Sequence, residues 1–220
     1  MRCDPTVGTR LEQHVLVLDR SVVSDMFEPP YFTWNPFLVD HVIDRVPREG
    51  RHVPRSEAER SSDLVQVVGY SIVRKGDRAL CIKRSTAGGP DLHDRYTVLF
   101  GGHVEETDAP TVEGVTQCVK REVKEELGVE PVRPPEVIGV VADPRNEVGL
   151  RHLGVIFDLV CENDSVDLSE ATDVGEFAAG DVHEMKTLDE IEELRGQLDP
   201  WSTLVVDSVA LQARLRPRSR

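Results

Sequence analysis

Along the chain, apolar and polar positions alternate in short runs broken by turns. "HVLVLDR" (14–20) alternates well enough to predict a strand, and "LVQVVGYSIVR" (64–74) and "RALCIKR" (78–84) predict two more. Only "KGD" separates the latter pair, which is a hairpin signal. "RYTVLFGGHV" (95–104) reads as a third strand of this group, ending in Gly101 and Gly102. A helix is expected over 111–127, stopped by Gly128 in a C-cap position. "PEVIGVVAD" and "HLGVIFDLVCE" predict further strands, and "LDEIEELRGQL" and "PWSTLVVDSVALQARL" two closing helices. The polar stretch 44–63 reads as a surface connection with room for one short helix, and 85–94 as a loop. Five aromatics between Phe27 and Phe37 are expected to anchor the N-terminal segment to the core. This order of strands and helices predicts an α/β (α+β) fold, a mixed sheet flanked by helices.

The 111–127 helix holds an anomaly. With Val119 as zero and about 100° per residue, Val112, Val115 and Val123 fall within roughly 40° and make a core-facing stripe. Lys120, Arg121 and Lys124 lie on the opposite flank. Glu122 falls at about −60°, Glu125 at about −120° and Glu126 at about −20°, inside the stripe. A carboxylate turned toward a core loses hydration and needs neutralising. One hard divalent cation shared by several carboxylates does this, Mg²⁺ being the default for oxygen ligands. The competing reading is a solvated face laced by pairs such as Arg121–Glu125 at i, i+4.

Charge narrows the partners. With 26 Lys and Arg against 40 Asp and Glu, the net charge is −14, which argues against a nucleic-acid backbone or an anionic membrane as ligand. A polyphosphate would then need a cation or a local basic pocket. Four scattered cysteines without a CxxC pair, no membrane-length apolar run and no secretory start lead to the expectation of a cytoplasmic protein. Walker, dinucleotide-binding and GxSxG patterns are absent from the sequence.

"REVKEELGV" (121–129) resembles the second half of the Nudix box, G-x5-E-x7-R-E-U-x-E-E-x-G-U, with U a bulky aliphatic residue. Arg121, Glu122, Val123, Glu125, Glu126, Gly128 and Val129 fill its specified places. Counting back from Arg121 reaches Glu113, whereas counting forward from Gly102 reaches Asp108, so the loop before the helix carries five extra residues. Glu113 matches the first box acid better, and Asp108 is a candidate cap for the helix. "VLVLDRS", "PRSEAE", "VGYSIVR", "GGHV", "HLGVIF" and "WSTLV" further resemble a poorly characterised branch of predicted MutT-type phosphoesterases.

The resemblance implies a Nudix α/β/α sandwich over 63–220, with 1–62 as an N-terminal elaboration. It implies hydrolysis of a diphosphate linkage in a nucleotide or nucleoside-diphosphate derivative, with Mg²⁺ or Mn²⁺ as cofactor. Glu122, Glu125 and Glu126 would be metal ligands, joined by the Gly102 backbone carbonyl. Arg121 would orient a box glutamate, and Glu122, Glu126, Glu147 or Glu176 would serve as general base. Arg84, Arg95, Arg151 and His103 are candidates for substrate phosphate, each against a structural reading as an ion pair or strand end. His93 and His152 read as structural histidines. Family members often form homodimers. Two alternatives remain: a nucleotide-sensing module without catalysis, and a diphosphate isomerase, whose cysteine motif this sequence lacks.

Overall fold

A computed structural model describes residues 13–84, 93–162 and 181–215. Its strands are β1 (His14–Asp19), β2 (Phe32–Thr33), β3 (Arg51–Pro54), β4 (Leu64–Lys75), β5 (Arg78–Lys83), β6 (Tyr96–Thr97), β7 (Phe100–His103), β8 (Glu136–Val141), β9 (His152–Val160) and β10 (Val182–Thr187). Its helices are α1 (Pro36–Glu49), α2 (Arg55–Ala58), α3 (Val112–Leu127), α4 (Glu147–Arg151), α5 (Leu188–Glu193), α6 (Pro200–Val206) and α7 (Val209–Leu215). The open sheet runs β10-β5-β4-β9-β8-β2, with β1 and β7 also on β4, β3 on β1 and β6 on β5. The expected α+β architecture is therefore present.

The chain forms two compact units. The first comprises 1–69, 102–118 and 139–155. Within it β1 pairs antiparallel with β3 (Val15↔Val53) and with β4 (Val17↔Gln66). Val15, Val17, Val53, Ala58 and Leu64 make one buried cluster. Helix α1 was not anticipated, because its buried stripe is only Val39, Val42 and Val46. Asn35 caps it by accepting from Phe37 N at 3.0 Å, and Pro36 fits its first turn. Of the five aromatics, Phe32 is buried against β8, where a Cβ on Gly139 would stand 2.5 Å from the ring. Trp34 and Phe37 are 50% and 84% exposed, which overturns their expected role as anchors.

The second unit comprises 70–101, 119–138 and 156–220. The expected hairpin is there: Arg74 pairs with Ala79 and Gly76 turns the chain at φ 61°. Strand β10, missed in the sequence, pairs with β5 from Val182↔Lys83 to Thr187↔Arg78. The single strand expected over 95–104 is split in two. Val98 N donates to Ser202 Oγ at 3.0 Å and Leu99 N to Thr97 Oγ1 at 3.2 Å, so side chains replace the ladder there. The last expected helix also breaks, at Asp207–Ser208, where Ser208 Oγ accepts from Leu211 N and starts α7 anew. Beneath β9 and β4, the buried Asp158 carboxylate is gripped by Arg74 and Arg133, with Arg214 at 3.5 Å.

Candidate active site

Helix α3 begins where Thr111 Oγ1 accepts from Gly114 N at 3.1 Å, so Thr111 is the cap and Asp108 is not. Asp108 closes the preceding turn instead. Its Oδ2 accepts from Glu105 N at 3.0 Å and its own N–H donates to Glu105 O at 2.8 Å. The five extra residues have a visible structural use in the first unit. Leu16 N donates to Val104 O at 2.8 Å, Val15 bridges to Glu105, and His14 stands 3.7 Å from Glu106, so this loop is tied to β1. At its other end the loop crosses α3 so closely that a Cβ on Gly114 would lie 1.8 Å from the Ala109 carbonyl oxygen. Gly128, at φ 64°, ends the helix with its N–H on Lys124 O, as expected.

Val115, Cys118, Val119, Val123 and Leu127 are fully buried on α3, while Val112 is half-buried. Glu125, the glutamate farthest from this stripe, is the most exposed of the three. The Glu122 side chain is 15% exposed, Glu126 is half-buried with Oε2 shut off from solvent, and Glu125 is 61% exposed. Arg121 Nη1 donates to Glu122 Oε1 at 2.6 Å and reaches Glu125 Oε2 at 3.5 Å. The i, i+4 pair of a solvated face is thus present, but the shorter bond goes to the more buried acid.

Among the described residues no three His, Cys, Asp or Glu side chains stand together in a metal-binding group. The donor set nevertheless fits a hard divalent cation: three carboxylates lie within five residues, and Glu126 Oε2 is shut off from water. Glu122, Glu125 and Glu126 would hold it. Glu113 is elsewhere. It is exposed, accepts from Gln117 Nε2 at 2.6 Å, and sits nine residues, about 13.5 Å of helix, before Glu122.

The glycine-rich strand end has its own supports. Gly101 has φ 148°, a conformation that favours glycine. Cys118 Sγ donates to His103 O at 3.2 Å and approaches Gly102 O at 3.7 Å. His103 Nε2 lies 3.2 Å from His152 Nε2, and His152 Nδ1 lies 2.6 Å from Val148 O. Sequence reasoning missed this pairing, since 49 positions separate the rings.

The other candidates scatter. Arg84 is buried, and its backbone bonds with Arg95 and Asp94, while residues 85–92 of the expected loop lie outside the described residues. Arg95 Nη1 donates to Gly196 O at 3.1 Å. Arg151 pairs with Glu147 at 3.3 Å within α4, and that Glu147 side chain is 84% exposed. Glu176 lies outside the described residues. Cys81, Cys118 and Cys161 are buried free thiols, and burial pushes the Cys81 thiol up to about 12, far from a nucleophile's range. No helix among the described residues is long and apolar enough to cross a membrane.

The structure of Tm1382, provisionally assigned as a Nudix hydrolase, is 27% identical, covers 91% of this chain and 100% of its own, and superposes with a TM-score of 0.73. A Nudix hydrolase from Nitrosomonas europaea is 19% identical over 69% of this chain and 91% of its own, with a TM-score of 0.49. The Nudix domain of NrtR from Shewanella oneidensis, solved with ADP ribose, is 16% identical over 68% of this chain and 86% of its own, with a TM-score of 0.46. No curated protein matches the sequence. Residues 64–205 match the NUDIX domain, which is most of the chain and includes all of α3 with Glu122, Glu125 and Glu126, and the protein therefore belongs to the Nudix family.

Proposed function

We propose that this protein is a divalent-metal-dependent hydrolase that cleaves a diphosphate linkage in a nucleotide or nucleoside-diphosphate derivative. Membership of the Nudix family supports pyrophosphohydrolase activity in general. The observation that carries the finer reading is the graded burial of Glu122, Glu126 and Glu125 along one edge of α3, with Arg121 bonded to the first.

Glu122, Glu125 and Glu126 would hold Mg²⁺ or Mn²⁺, which when bound screens phosphate oxygens and acidifies an attacking water. Arg121 fixes the Glu122 carboxylate through a charge-assisted hydrogen bond, so that this acid is oriented before substrate arrives. Glu125 is solvent-facing and swings on its own side chain, which suits a ligand recruited on ion binding. In a chain of net charge −14, the cation also offsets repulsion of the polyphosphate.

The test is turnover of a panel of nucleoside-diphosphate derivatives by the purified protein with Mg²⁺, with Mn²⁺ and with chelator. Hydrolysis that disappears with chelator and falls by about a hundredfold or more in Glu122→Gln and Glu126→Gln supports the proposal. No turnover of any compound, or turnover indifferent to chelator and to both variants, overturns it. Tight calorimetric binding without product would instead identify a nucleotide-sensing module.

A further inference from the structure

Outside the carboxylate edge, one polar arrangement in the first unit is built with unusual care. His152 is the first residue of β9, and its ring reaches back to the last turn of α4, with Nδ1 2.6 Å from Val148 O. A carbonyl can only accept, so Nδ1 of His152 carries the proton. Above the ordinary imidazole range, where the ring is neutral, its lone pair is on Nε2, and 3.2 Å away stands Nε2 of His103. For that contact to be a hydrogen bond, His103 must carry its proton on Nε2 and its lone pair on Nδ1. The one N–H of the His103 ring is thereby committed to His152.

The anchor of this column is itself fixed. Helix α4 is capped by Asn146, whose Oδ1 accepts from Gly149 N at 2.8 Å. Gly149 lies so close to the Asp143 carbonyl that a Cβ would stand 1.8 Å from its oxygen. Val148 is therefore held in place, His152 is 9% exposed, and the rings meet edge to face with centroids 5.3 Å apart. On the main chain of the same strand end, Cys118 bonds the His103 carbonyl at 3.2 Å.

We propose that His152 is a positioning residue for the Gly102–His103 strand end, fixing the His103 imidazole as the Nε2–H tautomer through the column Val148–His152–His103. The kinetic part of this proposal rests on the hydrolase reading above, whereas the tautomeric part stands without it. Second partners of this kind set both ring orientation and tautomer, as do the outer partners of metal-bound histidines.

The deciding measurement is ¹⁵N-resolved NMR of the ring nitrogens at about pH 8, above the ordinary imidazole range. His152 is expected as the Nδ1–H tautomer and His103 as the Nε2–H tautomer. In His152→Leu, His103 should relax to a mixture, and kcat should fall by about ten- to a hundredfold with little change in KM. His152→Gln retains an acceptor near the position of Nε2, so it should preserve the His103 tautomer and restore most of kcat. The proposal is overturned by an Nδ1–H or mixed His103 in the wild-type protein. Equal loss of kcat in the Leu and Gln variants, or full kcat in a folded Leu variant, also overturns it. Should no substrate be turned over, the wild-type tautomers alone decide the matter.

Discussion

Arg121 donates to Glu122 at 2.6 Å, and the two are neighbours in sequence on the flank of α3. The guanidinium therefore spans the half-buried Glu122 and the exposed Glu125 along the helix edge. Arg121→Ala should release the Glu122 carboxylate and lower kcat by about ten- to a hundredfold while the fold persists. Arg121→Lys should recover only part of this, since an ammonium cannot reproduce the planar fork. Kinetics on a responsive substrate, with circular dichroism as the fold control, checks the pair of variants.

Arg74 grips Asp158 through Nε at 2.5 Å and Nη2 at 2.8 Å, and the carboxylate is 2% exposed. The bond raises the affinity of Arg74 for its proton above the ordinary guanidinium range. Breaking a buried pair by removing one partner costs about 3–5 kcal/mol, and Arg133 and Arg214 remain to soften the loss. Arg74→Met should accordingly destabilise by about 3 kcal/mol, the lower end of that range. Urea unfolding of the two proteins measures the difference, and an unchanged midpoint would show the pair to be dispensable.

Gly114 sits where the extended loop crosses the start of α3. An added methyl meets the Ala109 carbonyl, which is backbone and cannot swing aside, so Gly114→Ala should cost about 1–3 kcal/mol as an overpacked contact does. Hydrogen exchange should show faster opening at the Leu16 amide, whose acceptor Val104 lies at the root of the same loop. Unaltered protection there would separate the loop from β1.

Cys81 gives the protein an alkaline liability. Burial places its folded-state value at about 12 against an ordinary 9.0, so between those limits the folded protein binds more protons than the unfolded chain. The contribution to stability is fully present below about pH 9 and is lost as pH rises toward 12. By about pH 10.5 the loss should reach roughly 2 kcal/mol, and Cys81→Ala should flatten that slope. Denaturant midpoints at neutral and alkaline pH for both proteins check it.

How much of this was legible in the chain can be judged residue by residue. The wheel angles separated the exposed Glu125 from the half-buried Glu122 and Glu126, because a regular helix converts sequence spacing into direction without outside help. Gly128 ended α3 and Gly76 turned the hairpin for the same local reason: each position demands positive φ. Helix α1 escaped because its apolar stripe is three valines wide and only packing makes it sufficient. The broken strand at 98–99 depends on Ser202, some hundred residues away, which no local pattern encodes.

By itself, then, the sequence determined the α+β order, the family and the edge of α3 on which acids and valines meet, since each follows from near-neighbour spacing along one element. Tertiary structure decided the rest. It brought His152 to His103, tied the lengthened loop to β1, and surrounded Asp158 with arginines from three other segments. Such contacts join residues tens of positions apart, and what selects them is the burial of whole faces, a quantity that exists only once the chain has closed on itself.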